Sequence, residues 1–280
     1  MKTLGYYDGK IDELENMKVP MLDRACYFGD GIYDATYSRN KKIFAIDEHI
    51  DRFYHGLERV NIKFSMTKNR LRELLYELVG YTDDDELFVY WQVTRGEGIR
   101  EHSYNDDMTG KLWVMLKPQP IVDMSQKIIL VTHEDIRYTL CDIKTLNLLP
   151  NVLFSQYAKE RGAHECILHR GKRVTECAHS NVHIIKDGEL LTPPADKFIL
   201  KGVAREHLIK ACCALGIAVK IRPFTLDEIY GAEEVIVTSS GSLCLQAQSV
   251  DGITVGGKQQ ALINALQSYL LEEFRSATER

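Results

Sequence analysis

The chain has 280 residues, enough for a large core, and at roughly 100 to 200 residues per domain it is expected to form two domains. Apolar residues make up 45% of it and charged residues 27%, a globular balance that excludes disordered and fibrous classes. The formal charge of -5 comes with lysines and arginines scattered among acids, so no nucleic-acid partner is expected. No apolar run approaches the roughly 20 residues of a membrane helix, and Met1 to Tyr6 lacks a signal-peptide core, so a cytoplasmic protein with no membrane partner is expected.

In chain order, Tyr6-Tyr7 and Lys10-Ile11 flank Asp8-Gly9 as a hairpin. Ile50, Phe53, Tyr54, Leu57 and Val60 recur at helical spacing from Asp47, with Arg52 at the edge of the stripe, and Leu71, Leu74, Leu75 and Leu78 mark a second helix. Glu86 to Thr94 and Leu112 to Leu116 read as strands. The two prolines of Lys117-Pro118-Gln119-Pro120 then suggest an interdomain linker. Lys127 to Thr132 reads as a strand, and Asn151 as the cap of a helix reaching Gly162. Glu165 to Leu168, Arg173 to Glu176 and Asn181 to Ile185 read as strands, and Asp187-Gly188 turns the last of these onto Glu189 to Thr192. Ala204 to Leu215 reads as a helix stopped by Gly216. Thr225 with Glu228 forms a capping box, and a final helix surrounds Leu262 to Phe274. The mixture predicts an α+β domain followed by a mostly β domain with covering helices.

Seven cysteines, an odd number without a C-x-x-C pair, argue against a disulfide framework and a zinc knuckle; Cys177 stands out because it follows Glu176. The pairs His164/His169 and His179/His183 match no metal-ligand spacing, so no metal is expected, and Gly29-Asp30-Gly31 lacks the dinucleotide-binding run. Lys144 lies among aliphatic residues just before a proline. Burial there would lower its pKa from about 10.4 and supply the neutral amine that imine chemistry needs, although a lysine stem can also simply cover apolar surface.

Four separated segments then fall into register: Tyr27-Phe28-Gly29-Asp30-Gly31-Ile32-Tyr33, Glu48-His49-Ile50-Asp51-Arg52, Asp142-Ile143-Lys144-Thr145-Leu146-Asn147-Leu148-Leu149, and Thr175-Glu176 with Ser180-Asn181-Val182. Together they resemble the fold-type-IV pyridoxal-phosphate enzymes, and within them the D-amino-acid aminotransferases, over nearly the whole chain. The resemblance implies a small N-terminal α/β domain (1-117), a linker (118-121) and a larger domain (122-280) carrying the Schiff-base lysine. It also implies a site in the cleft between the domains, and a homodimer. It assigns Lys144 as Schiff-base anchor and proton carrier, and Glu176 as partner of the pyridine nitrogen. Arg52, the amides of Val203 and Ala204, and the hydroxyls of Ser239 and Ser240 would hold the phosphate, while Leu200 packs on the ring. Tyr33, Arg100 and His102 would take the substrate carboxylate, the last two from the neighbouring subunit, with their alternation on an extended segment aiming both one way. The implied reaction moves an amino group between a D-amino acid and a 2-oxo acid.

The chain departs from the family's pattern at Cys177-Ala178-His179, at Ala204 and at Gly241-Ser242-Leu243-Cys244, which puts side-chain preference and cofactor affinity in question. A branched-chain or amine transaminase, an aminodeoxychorismate-lyase-like enzyme, or a non-catalytic ligand binder would keep the same fold. Arg100 with His102 favours D-amino acids among them.

Overall fold

The computed structural model describes residues 3–279, which divide into two compact units. Residues 3–121, 143–147 and 275–279 make up the first, and residues 122–142 with 148–274 the second. The resemblance puts Lys144 in residues 122–280. By its packing, the segment Ile143–Asn147 belongs with the first unit.

The first unit opens with β1 (Leu4–Tyr7) and β2 (Lys10–Glu13), joined by the Asp8-Gly9 turn. Helix α1 (Arg24–Phe28) is capped by the Asp23 carboxylate, which accepts from the Ala25 amide, and stops at left-handed Gly29. There follow β3 (Gly31–Arg39), β4 (Lys42–Ile43), α2 (Ile46–Arg59), α3 (Lys68–Gly80), β5 (Glu86–Thr94) and β6 (Lys111–Pro118). The strands form one antiparallel sheet in the order β2-β1-β6-β5-β3-β4. Its inner face carries Ile32, Val89, Trp91, Val93, Val114 and Leu116, packed against the apolar stripes of α2 and α3. Pro118 still pairs with Leu87, so the strand runs into the proline segment and ends there, where a missing N–H costs least.

The second unit contains β7 (Lys127–Glu134), α4 (Leu149–Glu160), β8 (Glu165–Arg170), β9 (Arg173–Cys177), β10 (Asn181–Lys186) and β11 (Glu189–Thr192). After these come α5 (Val203–Ala214), β12 (Val219–Ile221), α6 (Leu226–Tyr230), β13 (Glu234–Thr238), β14 (Leu245–Val250), β15 (Ile253–Thr254) and α7 (Gln260–Ala277). The mixed sheet runs β12-β11-β10-β13-β14-β7-β8-β9, with β15 on β14. Strands β7 and β8 are parallel, so the chain must cross over between them, and α4 lies on that crossover. The capping box of Thr225 and Glu228 is present at α6.

The expected Asn151 cap is corrected. Helix α4 begins at Leu149 with Pro150 in its first turn, where a residue lacking N–H is tolerated, and the Asn151 side chain instead donates to the Ala178 carbonyl at 2.6 Å. Strand β3 has no expectation behind it, because its buried positions include Asp34, Thr36 and Ser38, which hide the apolar alternation. Among the described residues, no helix is long and apolar enough to cross a membrane, and no cluster of His, Cys, Asp and Glu is placed to hold a metal.

Candidate active site

In the first unit, the segment around Lys144 lies against β3. The Tyr33 amide donates to the Lys144 carbonyl at 3.0 Å, and the Leu146 amide to the Gly31 carbonyl at 3.0 Å. Gly31 permits this approach, since a Cβ there would sit 2.6 Å from Leu146 Cδ1 and 2.7 Å from the Val93 oxygen. The Lys144 ammonium donates to the Tyr33 hydroxyl at 3.1 Å and stands 4.2 Å from that ring's centroid. Tyr33 stacks on Tyr90, whose hydroxyl donates to Gln92 at 2.6 Å. Lys144 is half-buried rather than buried, so polar neighbours and water share its surroundings.

Strand alternation puts Asp34 on the face opposite Tyr33, under α2. Arg52 forks onto its carboxylate, Nε at 2.9 Å and one Nη at 2.7 Å, while His49 Nδ1 lies 2.7 Å from the same group. Burial would raise the Asp34 carboxyl, but the Arg52 charge and His49 outweigh it and hold the group well below the usual carboxylate range. Burial in turn lowers His49, with Arg52 and Lys144 adding to the effect against Asp34.

Arg100 and His102 are exposed, on an irregular loop rather than the extended segment expected. They nonetheless converge on one ring. The Arg100 guanidinium is 5.3 Å from the Phe28 centroid, and the His102 ring is also 5.3 Å from it.

In the second unit, Glu176 is the penultimate residue of β9 and almost fully buried. Arg137 donates to its Oε1 at 2.5 Å; the Asn181 side chain and the Leu200 amide each donate to Oε2 at 3.0 Å. Arg137 is itself gripped by Asp135, which also accepts from Arg170 and Thr175. Asn181 donates as well to the Leu200 carbonyl, and a Cβ on Gly202 would sit 2.1 Å from its Oδ1, so the approach to α5 requires glycine there. Val203 and Ala204 open α5, and first-turn amides have no partner within their own helix. Ser239 and Ser240 follow β13, and the Ser239 hydroxyl meets that of Ser242 at 2.8 Å.

The first unit thus carries an amine and a held guanidinium, and the second carries a fixed carboxylate, a helix N-terminus and a hydroxyl-bearing turn. By chemistry an amine suits an aldehyde, a carboxylate a basic ring nitrogen, and the remaining donors a phosphate. The family model for "amino-transferase class IV" matches residues 31–250. The chain belongs to the class IV aminotransferases. It is 39% identical to a D-alanine aminotransferase of Listeria monocytogenes, over 99% of this chain and 97% of that one. The branched-chain amino acid aminotransferase of Escherichia coli superposes with a TM-score of 0.90 at 21% identity, covering 100% of this chain and 96% of that one. The branched-chain aminotransferase of the thermophilic archaeon Thermoproteus uzoniensis, solved with norvaline, superposes with a TM-score of 0.88 at 18% identity, covering 99% of this chain and 96% of that one. The fold is therefore fold type IV.

Around its candidate residues this class IV aminotransferase has partners that pattern reading missed: Asp34, His49, Arg137 and Asp135. All are buried charged or titratable groups on strands, loops or helix faces, and they carry no periodic signal. Cys177 is buried, and burial pushes its thiol far above the ordinary range, so it stays protonated and unreactive. His179 pairs instead with buried Glu165 at 2.8 Å, which also accepts from Ser180.

Proposed function

We propose that this aminotransferase moves the amino group of a D-amino acid to a 2-oxo acid, with pyridoxal 5'-phosphate held on Lys144. The observation that carries the reading is the Lys144 amine, 3.1 Å from the Tyr33 hydroxyl on a backbone segment bonded to β3. When bound, the cofactor supplies an electron sink for charge developing at the substrate α-carbon. Lys144 would take the proton from the substrate α-carbon and hand it on to the aldehyde-derived carbon of the cofactor, and Tyr33, stacked on Tyr90, holds its Nζ in place. Glu176 is an anion with a fixed aim, and it keeps a ring nitrogen beside it protonated.

Arg52, the amides of Val203 and Ala204, and the hydroxyls of Ser239 and Ser240 would hold the phosphate, and Leu200 would pack on the ring. Arg100, His102 and Tyr33 take the substrate carboxylate. The D-alanine aminotransferase relative, similar end to end, favours D-amino acids over the other reactions of this fold. A homodimer supplies Arg100 and His102 from a second copy. The exposed apolar stripe of Leu149, Val152 and Leu153 on α4 supports a covered face. The four buried thiols suit a reducing compartment, the cytoplasm.

Lys144→Ala tests the reading. Turnover should nearly vanish, and borohydride reduction of the wild-type holoprotein should label residue 144. An active Lys144→Ala protein, or a label elsewhere, overturns it. Paired D- and L-amino acid assays decide the substrate hand.

A further inference from the structure

Arg100 and His102 are exposed on an irregular loop, a poor place from which to aim two side chains at one small anion. What lies beneath the loop is not irregular. Three successive carbonyls, those of Glu101, His102 and Ser103, accept from the single guanidinium of Arg24, at 2.7, 3.3 and 3.4 Å. Arg24 is only 3% exposed, at the start of α1. Its Nε donates to Asp30 at 2.8 Å, and the same carboxylate accepts from Arg95 Nε at 2.9 and 3.1 Å. Arg95 ties this knot to the end of α2 through the carbonyls of Val60 and Asn61, and it lies 3.8 Å from the Tyr104 ring centroid, further along the same loop.

The Phe28 ring closes the arrangement. Arg24 stands 4.8 Å from its centroid, with Arg100 and the His102 ring each at 5.3 Å. One buried guanidinium thus holds the loop's backbone and also touches the ring on which both exposed side chains rest.

We propose that Arg24 is a positioning residue for the substrate carboxylate: through the carbonyls of residues 101–103 and the Phe28 ring it sets the spacing and aim of Arg100 and His102. The proposal rests on the reading that those two residues take the carboxylate. Its physical basis is entropy, since a loop ordered on folding does not have to be ordered again when substrate binds. Only a planar fork with five donors can span three carbonyls and a carboxylate together. A lysine in its place keeps the charge beside Asp30 but loses the span.

Arg24→Lys is the test, with D-alanine and a carboxylate-free amine as paired amino donors. The KM for D-alanine should rise between about tenfold and a hundredfold, the range a small misplacement of binding groups produces, while kcat changes little and the amine's KM does not move. An unchanged KM for D-alanine, or an equal rise for both donors, overturns the proposal. Should thermal melting show Arg24→Lys unfolded, Phe28→Leu replaces it, with the same split expected at smaller size and the same outcomes decisive. Arg100→Ala separates the two levels. If it raises the D-alanine KM while Arg24→Lys does not, only the positioning role falls; if Arg100→Ala leaves that KM unchanged, the carboxylate reading falls and the positioning role with it.

Discussion

Asp34 in the first unit and Glu176 in the second are both buried carboxylates on strands, yet they stand in opposite relations to arginine. Asp34 is wholly enclosed and gives its two oxygens to Arg52 and His49, so the carboxylate is the fixture and the guanidinium is the group held in place. Around Glu176 the roles reverse. Arg137, pinned by Asp135, joins the Asn181 side chain and the Leu200 amide in fixing the carboxylate. The same ion-pair chemistry therefore presents a cation in one unit and an anion in the other. Burial of a charge pair is weak evidence that it stabilises the fold, and under the proposed function each pair would instead aim a charge.

The comparison breaks first at Asp34. Asp34→Ala leaves Arg52 and His49 facing an empty space, and removing one partner of a buried pair costs about 3 to 5 kcal/mol, to be read from urea unfolding. A loss below about 1 kcal/mol would mean that Arg52 finds another acceptor and that Asp34 fixes nothing. Glu176→Gln should act differently. The amide keeps the volume and an acceptor oxygen but loses the charge, so turnover should fall by about 10²- to 10³-fold with less loss of stability than Asp34→Ala. Unchanged turnover would make Glu176 a structural acceptor of the same kind as Asp34.

Much of this was legible in the chain before its fold. Periodicity marks α2 and α3, because Ile50, Phe53, Leu57, Leu71, Leu75 and Leu78 each bury an apolar side chain. Turn chemistry marks the hairpins at Asp8-Gly9 and Asp187-Gly188. Glu176 and Arg52 come only from motif resemblance; the aliphatic neighbours of Lys144 point to it, but without the motif they do not distinguish a reactive lysine from a surface one. Their supports were illegible for a more physical reason. Asp34, Arg137 and Arg24 sit at buried positions where burial alone disfavours charge, and only three-dimensional pairing makes them tolerable. The linker reading at Pro118 stopped at composition, whereas the pairing with Leu87 depends on a strand partner far away in sequence.

Two histidines extend the comparison to a milder perturbation. His49 shares its carboxylate with Arg52, whereas His183, fully buried on β10, has its ring nitrogens 2.9 Å from the hydroxyls of Thr192 and Thr238. Arg205 Nε donates to Thr192, which is consistent with Thr192 donating on to Nδ1 and with Nε2 carrying the proton toward Thr238. Burial, and then the Arg205 charge, push His183 down to about 3. An unfolded histidine takes up its proton near pH 6.5, so below that value the unfolded chain binds one more proton than the folded one. This contribution to stability is complete above about pH 6.5 and is lost as the pH falls toward 3, at about 1.4 kcal/mol per pH unit. His183→Gln offers the threonines a donor and an acceptor that do not titrate. Between pH 6 and pH 4, roughly the middle of that window, wild type should lose stability relative to His183→Gln with that slope. Parallel urea-unfolding curves across the window would mean that His183 takes up its proton inside the folded protein, and that a pair of hydroxyls can stabilise a buried imidazolium as well as a carboxylate can.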